Sequence, residues 1–233
     1  MIATTKPRLS ELSAGELRHL IGRAQQQLQV AVFAECGANL AARIKGHESA
    51  KRAIVVAAVQ RHSMAIYGPE GSGKSMLCAL AGRFGVSAAE ILCCPCGCFT
   101  DPTRPCRCTP SQIERHWVKA RKRPEVSTAE IHIEAPRVQH RQMEGPRGTD
   151  ESDMRKQLAG VLAVPYYENL DESACMLLRQ AVRQIGLLPS AVITIKAIAA
   201  SVAALDGDTG IQAHHVAEAI QYRRFDRPFG KTR

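Results

Sequence analysis

Apolar positions along the chain fall into two patterns, short continuous runs and runs with helical spacing. The continuous or alternating runs predict three short strands: Met64–Tyr67, Glu90–Cys94 and Ile131–Glu134. The helical spacing predicts helices at Ser10–Ala34, Ala50–Val59, Lys74–Arg83, Ser111–Arg121, Asp153–Val164, Glu172–Ile185, Ala191–Leu205 and Ala213–Arg223. Residues 140–153 are rich in glycine, proline and charge and form the predicted boundary between an α/β part and an all-helical part.

Composition supports a folded chain with an aliphatic core, because 45% of the 233 residues are hydrophobic and only 4% are aromatic. The longest uncharged apolar run, Ala53–Val59, is far shorter than the roughly 20 residues of a membrane-spanning helix. Met1–Ser10 is polar and does not resemble a secretory signal. We therefore expect a cytoplasmic protein without a membrane partner.

The net charge of +9 is concentrated in two segments, residues 101–123 and 223–233. Basic patches of this kind favour phosphate-rich partners such as nucleic acid. A solvated surface that only maintains solubility is the other interpretation, and charge alone leaves both open. Trp117, within the first patch, is expected to anchor a helix rather than to stack on a base.

The most specific motif is a phosphate-binding loop of the form G-x-x-x-x-G-K-[ST]. It consists of Gly68, Pro69, Glu70, Gly71, Ser72, Gly73, Lys74 and Ser75. The motif follows a predicted strand and precedes a predicted helix, where backbone N–H groups and the helix N-terminus can surround a phosphate. Lys74 is expected to reach the β- and γ-phosphates, and the Ser75 hydroxyl is expected to bind Mg²⁺. No continuously apolar strand ending in an acidic residue, the usual source of a catalytic carboxylate, is apparent.

Six of the nine cysteines lie between residues 93 and 108. In a reducing compartment such a cluster indicates metal before disulfides. Two C-x-C pairs, formed by Cys94, Cys96, Cys106 and Cys108, are candidate ligands for a structural Zn²⁺. Free or disulfide-bonded thiols remain the alternative, and Cys93 and Cys98 are spare thiols that can substitute.

Several segments in order resemble the magnesium chelatase-like AAA+ ATPases, and most closely the ComM-type branch linked to DNA uptake and recombination. They are residues 44–53, the phosphate-binding loop, residues 94–97 and 106–113, Ile131–Glu134 and residues 215–223. The resemblance implies ATP and Mg²⁺ as ligands, an AAA+ lid and assembly into homo- or hetero-oligomers. It also implies that Ile44 and His47 line the adenine base. His214 and His215 receive only a packing role in the lid.

The departures from the family pattern concern catalysis. The family has a long stretch between Phe84 and Ile91 that carries the acidic strand, and this chain does not have it. Leu92 stands where the family has a sensor asparagine. Thr128 stands where it has an arginine that reaches the neighbouring subunit, and Ser190 stands where it has the arginine of the lid.

The family sheet order, 5-1-4-3-2, implies that the remaining strands are neighbours. We therefore predict a reduced P-loop AAA+ core of about three parallel strands, with Met64–Tyr67 central, followed by an all-α lid. The edge left by Glu90–Cys94 is expected to need cover. The expected organisation is an N-terminal helical extension (1–40), the core (41–139) with its Cys-rich insertion (93–108), the lid (150–225) and a basic tail (226–233).

The sequence favours an ATP-binding protein with weak or no hydrolysis when alone. The alternative is a zinc-stabilised adaptor for nucleic acid or protein in which the phosphate-binding loop is vestigial. A third hypothesis is a decayed gene product that does not fold stably.

Overall fold

The computed structural model describes residues 39–145 and 148–226, so the predicted helix Ser10–Ala34 and most of the basic tail lie outside the described residues. The strands are β1 (Met64–Gly68), β2 (Ala88–Leu92) and β3 (Ile131–Glu134). The helices up to β3 are α1 (Leu40–Arg43), α2 (Glu48–Gln60), α3 (Lys74–Arg83), α4 (Pro110–Arg121) and α5 (Pro124–Ser127). Those after β3 are α6 (His140–Met143), α7 (Glu151–Ala159), α8 (Glu172–Ile185), α9 (Pro189–Asp206) and α10 (Ala213–Gln221), followed by a 3₁₀ turn at Arg224–Asp226.

The three strands form one parallel sheet in the order β2-β1-β3. Every residue of β1 is buried, as expected for a central strand. This confirms the predicted α/β fold class and the central position of Met64–Tyr67. It also supports the interpretation that the sheet is a reduced AAA+ core.

The predicted position of the second strand, Glu90–Cys94, is wrong by two residues at each end. Ala88 and Ala89 pair with β1, so the strand starts earlier than the apolar run suggests. Cys93 and Cys94 leave the sheet, and the Cys94 carbonyl accepts a hydrogen bond from the Gly97 N–H that closes a turn. In the sequence, the two buried cysteines that begin this loop look like the end of an apolar strand.

Both outer edges of the three-stranded sheet are covered by hydrogen bonds from other segments, which keeps them from pairing with another chain. On β2, His116 donates to the Leu92 carbonyl at 2.8 Å and Arg123 donates to the Glu90 carbonyl at 3.3 Å. On β3, the His132 N–H donates to the carbonyl of Tyr222 at 2.7 Å, just after α10. Backbone groups that would otherwise face solvent are thus hydrogen-bonded to α4, to Arg123 and to the segment following α10.

An aromatic cluster fixes α4 and the final 3₁₀ turn against one face of the sheet. The rings of Tyr67, Trp117 and Phe225 lie with centroids 5.3–5.7 Å apart in tilted and edge-on arrangements. Trp117 is only 2% exposed, so it is a structural anchor, as predicted, and is not available to stack on a base.

The helical part contacts the α/β part through α9, which packs along α2 and α10. Polar contacts join the same elements: Arg52 donates to Glu218 at 3.1 Å, and His62 lies 2.9 Å from the Ser201 hydroxyl. The predicted helix Asp153–Val164 is instead α7, because the Asp150 side chain accepts a hydrogen bond from the Asp153 N–H at its start and Gly160 is its C-cap. Domain boundaries at residues 139 and 150 stay predictions.

Helix α9 is long and apolar enough to cross a membrane by length and composition alone. Half of its 18-residue window is buried within the protein, and a buried core helix passes the same test. Its nine buried residues include Ile195 and Ile198, which are fully enclosed. This helix accordingly belongs to the core of the helical part.

We predict that His132 makes stability fall at mildly acidic pH. Burial, assisted by Arg223, lowers the pKa of His132 to about 3, so the folded state keeps the ring neutral. The unfolded chain binds a proton below pH ~6.5, and stability is therefore lost as pH falls from about 6.5 towards 3. Between pH 7.5 and 5, wild type should lose about 2 kcal/mol more than His132→Gln in denaturant unfolding.

The exposed His140 provides the matched control, since its side chain is 83% accessible. His140→Gln should retain the pH dependence of the wild type. If the free energy of unfolding depends on pH in the same way in wild type and His132→Gln, the ring is protonated in the folded state and the prediction is wrong.

Candidate functional site

The phosphate-binding loop lies at the carboxyl end of the central strand. Gly68 is the last residue of β1, and Lys74 is the first residue of α3. Gly71 and Gly73 have φ angles of +73° and +89°, which residues with a side chain rarely adopt. The wrapped loop backbone therefore depends on these two glycines.

Gly68 is required for a different reason, the close approach of β3. A Cβ at Gly68 would collide with the carbonyl oxygen of Ala135. The Ala135 N–H donates to the Tyr67 carbonyl at 2.7 Å, which holds the two chains together at this point. The start of the loop is thus pressed against the residue that follows β3.

Lys74 and Ser75 begin α3 and make specific contacts around the loop. Lys74 is 6% exposed, and its ammonium donates to the Pro69 carbonyl at 2.6 Å. Burial lowers the pKa of Lys74, and the nearby Glu90 carboxylate opposes that shift. The Ser75 hydroxyl donates to Glu90 Oε2 at 2.7 Å. A phosphate at this loop would offer the Lys74 ammonium a stronger acceptor than a carbonyl.

His47 supports the loop from behind. Its Nε2 lies 2.9 Å from the Ser72 carbonyl, which can only accept, so Nε2 carries the proton in this contact. Burial lowers the pKa of His47, which favours the neutral ring. His47 and Ile44 are both buried, at 3% and 4% exposure, and of the two His47 contacts the loop. A role in lining the adenine base stays a prediction.

A cleft of about 590 Å³ opens beside the loop, between β2, α3 and α4. Its lining includes basic groups from two helices and two carboxylates, together with apolar surface. The basic or titratable groups are Lys74, His116, Lys119 and Arg123, and the carboxylates are Glu70 and Glu90. The site thus combines cationic side chains with a glycine-rich loop, which suits a polyphosphate.

Glu90 is the functional candidate that sequence reasoning missed. A catalytic carboxylate is expected at the end of an apolar strand, whereas Glu90 lies in the middle of β2 between Ala89 and Ile91. Its register opposite Ile66, two residues before the end of β1, brings it to Ser75. The available signal was a single charge inside a short apolar strand beside the phosphate-binding loop.

The structure brings together the four predicted metal ligands. The sulfur atoms of Cys94, Cys96, Cys106 and Cys108 all lie within 4.8 Å of one another. Three of the sulfur–sulfur distances are 3.4, 3.7 and 3.7 Å. Four sulfurs bound tetrahedrally at about 2.3 Å from zinc are about 3.8 Å apart, so the residues fit this ion.

Hydrogen bonds reach two members of the tetrad, Cys96 and Cys94. Backbone hydrogen bonds at Cys98 and Arg107 lower the pKa of Cys96 to about 6, which favours the thiolate. The Phe99 N–H donates to Cys94 Sγ at 3.2 Å. Burial raises the pKa of Cys93 to about 11, and Cys93 lies outside the group of four sulfurs.

The Cys-rich loop contacts the tip of the phosphate-binding loop directly. The Glu70 N–H donates to the Gly97 carbonyl at 2.8 Å, and Arg104 donates to the Glu70 carbonyl at 3.1 Å. Arg104 is itself held at 3.0 Å by the buried Asp101 carboxylate, which also binds Arg137. The conformation of Glu70 is therefore tied to the order of the cysteine segment.

The three residues at positions where the resemblance expects catalytic groups offer no equivalent chemistry. Leu92 pairs in register with Gly68 and lines the cleft with an apolar side chain. The Thr128 hydroxyl is used within its own turn, donating to the Pro124 carbonyl at 2.8 Å. Ser190 is exposed in the first turn of α9.

Asp206, His214 and His215 form a second group with metal-ligating side chains. The Gln212 N–H donates to His215 Nδ1 at 3.0 Å, so this nitrogen carries no proton. The neutral ring then has its proton on Nε2, which faces Asp206 and Asp208 at 3.4 and 3.3 Å. A protonated Nε2 cannot bind a metal, and His215 instead caps α10 as a buried lid residue.

The first basic patch lies partly on α4. Arg115, Lys119 and Lys122 are exposed and follow one another at helical spacing. Arg104 and Arg123 are engaged with acidic neighbours, Asp101 and Glu125. Of the second patch, 223–233, the structure describes only residues 223–226.

Two family models match this chain. The model described as magnesium chelatase, subunit ChlI, matches residues 41–84, which contain the phosphate-binding loop. The model described as magnesium chelatase, subunit ChlI C-terminal, matches residues 125–223. Together they span more than half of the 233 residues and leave β2, the cysteine segment and α4 between them unmatched. No curated protein matches the chain.

We predict that Gly68→Ala destabilises the protein even without ligand. The added methyl group meets backbone atoms that cannot rotate away, so β3 or the loop must shift, at a cost of about 1–3 kcal/mol or more. Denaturant unfolding measures this cost.

Gly160→Ala is the control, because Gly160 has helical φ and ψ of −75° and −13° and only ordinary contacts around a new Cβ. That variant should be neutral or more stable by about 0.4–1 kcal/mol. Equal stabilities for the two variants would contradict the close approach of Ala135.

Proposed function

Because the chain belongs to the magnesium chelatase-like AAA+ family, we propose that it is an ATP-binding protein with weak or no hydrolysis when alone. The observation that carries the proposal is the geometry of the phosphate-binding loop. Its glycine-dependent backbone leads from the central strand into α3, and Lys74 is buried at that helix N-terminus. The basic cleft beside the loop is large enough for a polyphosphate chain.

Binding relies on groups that this chain contains. Backbone N–H groups of the loop and the N-terminus of α3 would contact phosphate oxygens, and Lys74 would leave the Pro69 carbonyl for the phosphate. Mg²⁺ would be held in part by Ser75 and would neutralise phosphate charge. Hydrolysis also needs groups that act on the attacking water and on the developing charge. Leu92, Thr128 and Ser190 occupy the positions where the resemblance expects such groups.

We predict that Lys74→Ala weakens binding of Mg-ATP at least tenfold in isothermal titration calorimetry. The lost interaction is a hydrogen bond between two charged groups, worth about 1.5–3 kcal/mol. Lys156→Ala, which removes a 77% exposed lysine on α7, should bind like the wild type.

Steady-state turnover of ATP by the wild type alone should stay well below the roughly 1 s⁻¹ found at the lower end for kinases. Faster turnover that disappears in Lys74→Ala would contradict the proposed weak hydrolysis.

Structural zinc is the second part of the proposal. Three sulfur–sulfur distances of 3.4–3.7 Å and the approach of all four sulfurs to within 4.8 Å of one another support a tetrahedral Cys₄ site. The turn at Gly97 folds the first pair towards the second. Through Gly97 and Arg104 this site would also fix the conformation of Glu70. The zinc would thus be structural, with no open coordination position for chemistry.

We predict that the purified protein contains about one zinc per chain and that Cys106→Ser removes most of it. Cys98→Ser is the matched control, since Cys98 lies in the same loop but outside the tetrad. Elemental analysis of freshly purified protein measures the content. Full zinc content in Cys106→Ser, or loss of zinc in Cys98→Ser, would contradict the assignment of the four ligands.

A nucleic-acid adaptor is the second candidate function, and the exposed basic face of α4 favours it. Arg115, Lys119 and Lys122 lie on one side of the helix, where they can contact successive phosphates. This candidate requires binding to an oligonucleotide that weakens steeply with salt and is independent of ATP. Absence of Mg-ATP binding together with such salt dependence would favour the adaptor over the ATP-binding protein.

A further inference from the structure

A carboxylate from the strand next to β1 meets the first turn of α3 at the phosphate-binding loop. Ala89 and Ile91 face the aromatic cluster, so the intervening Glu90 faces the opposite side of the sheet, where α3 packs. There the Ser75 hydroxyl donates to Glu90 Oε2 at 2.7 Å. The contact joins residues 15 positions apart and results from the parallel register of β1 and β2.

The two oxygen atoms have almost the separation that a small divalent cation requires. Mg²⁺ binds oxygen at about 2.1 Å with near-octahedral geometry, so two adjacent ligands lie about 3.0 Å apart. The observed 2.7 Å needs to widen by only about 0.3 Å. Both oxygens are ligands that Mg²⁺ prefers, and phosphate oxygens and water would complete the shell.

The charges of the cleft also favour a cation at this position. A phosphate chain on the loop would come close to the Glu90 carboxylate, and the two negative groups would repel each other. A divalent cation between them converts this repulsion into attraction. The Lys74 ammonium, which interacts with Glu90, is hydrogen-bonded to the Pro69 carbonyl and is needed for the phosphate itself.

We propose that Glu90 and Ser75 are the protein ligands of the divalent cation that accompanies the bound nucleotide. This inference rests on the proposed ATP binding and goes beyond it by assigning the acidic ligand. The resemblance predicts that the acidic strand is missing from this chain. Glu90 supplies a carboxylate from β2 instead, one strand away from the loop.

The test compares ATP affinity in excess MgCl₂ with ATP affinity in EDTA, using calorimetry on the full chain. In the wild type, Mg²⁺ should tighten ATP binding. In Glu90→Gln this enhancement should fall at least tenfold, while affinity in EDTA should stay equal or rise, because a repelling charge is removed. Ser75→Ala should lose the same enhancement, and the double variant should show no further loss, since both residues act through one ion.

Glu134→Gln is the matched control. Glu134 ends β3, on the other side of β1, pairs in register with Tyr67 and lines a different cleft. This variant should keep the Mg²⁺ enhancement of the wild type. Electron paramagnetic resonance of Mn²⁺ in the ATP complex should change in Glu90→Gln and not in Glu134→Gln.

The outcomes separate this inference from the proposed function. ATP binding with an unchanged Mg²⁺ enhancement in Glu90→Gln overturns the inference and leaves ATP binding intact. Weaker binding of Glu90→Gln in EDTA as well as in MgCl₂ also overturns it, because Glu90 would then only hold the loop in shape. No ATP binding by the wild type in either medium overturns the proposed function and this inference with it.

Discussion

Parallel pairing of β1 on both of its sides is the constraint on which the site depends. In parallel sheets, ligands bind outside the carboxyl ends of the strands, where loops from neighbouring strands meet. Here β2 places Glu90 beside the first turn of α3, and the residue after β3, Ala135, presses on Gly68. A strand on each side is therefore enough to position both walls of the phosphate-binding loop, even in a sheet of three.

The segment between β2 and α4, together with α4, covers the outer edge of β2. Its cysteine tetrad brings the chain back over Glu70, and α4 then runs along the outer edge of β2. His116 donates a hydrogen bond to the Leu92 carbonyl at that edge. Trp117 anchors the same helix on the face of the sheet that carries the aromatic cluster. The Cys-rich segment thus contacts the phosphate-binding loop, and α4, which follows it, covers the edge of the small sheet and packs on one of its faces.

The sequence predicted elements well where local signals are sharp. Lys74–Arg83, Ile131–Glu134 and Glu172–Ile185 have the predicted bounds, the last because Asp171 caps its start and Gly186 adopts φ of +71° after its end. The predicted position of the second strand was two residues too late, since periodicity cannot distinguish a buried loop cysteine from a buried strand residue. These errors arise where tertiary contacts, not local preference, decide the conformation.

The candidate site was predictable to the extent that one continuous segment encodes it. The motif at residues 68–75 and the four cysteines are each local patterns, and the structure brings their members together. Glu90 and His47 reach the loop only through the register of β1 with β2 and through the packing of α2. Such contacts between distant segments depend on strand register and helix packing, which a single sequence does not specify.

Binding and turnover make separate demands on this site, and the chain meets them unequally. With Glu90 beside Ser75, the groups that we propose for a phosphate chain and its cation lie within one cleft. A group that stabilises only the transition state contributes about 10²–10³ in rate, and an arginine from a neighbour about 10³–10⁵. Losing such groups slows the reaction without weakening ground-state binding. Under the proposed function, the apolar Leu92 and a Thr128 hydroxyl that is bonded within its own turn would leave a long-lived ATP complex, in which the nucleotide stabilises a conformation instead of driving a cycle.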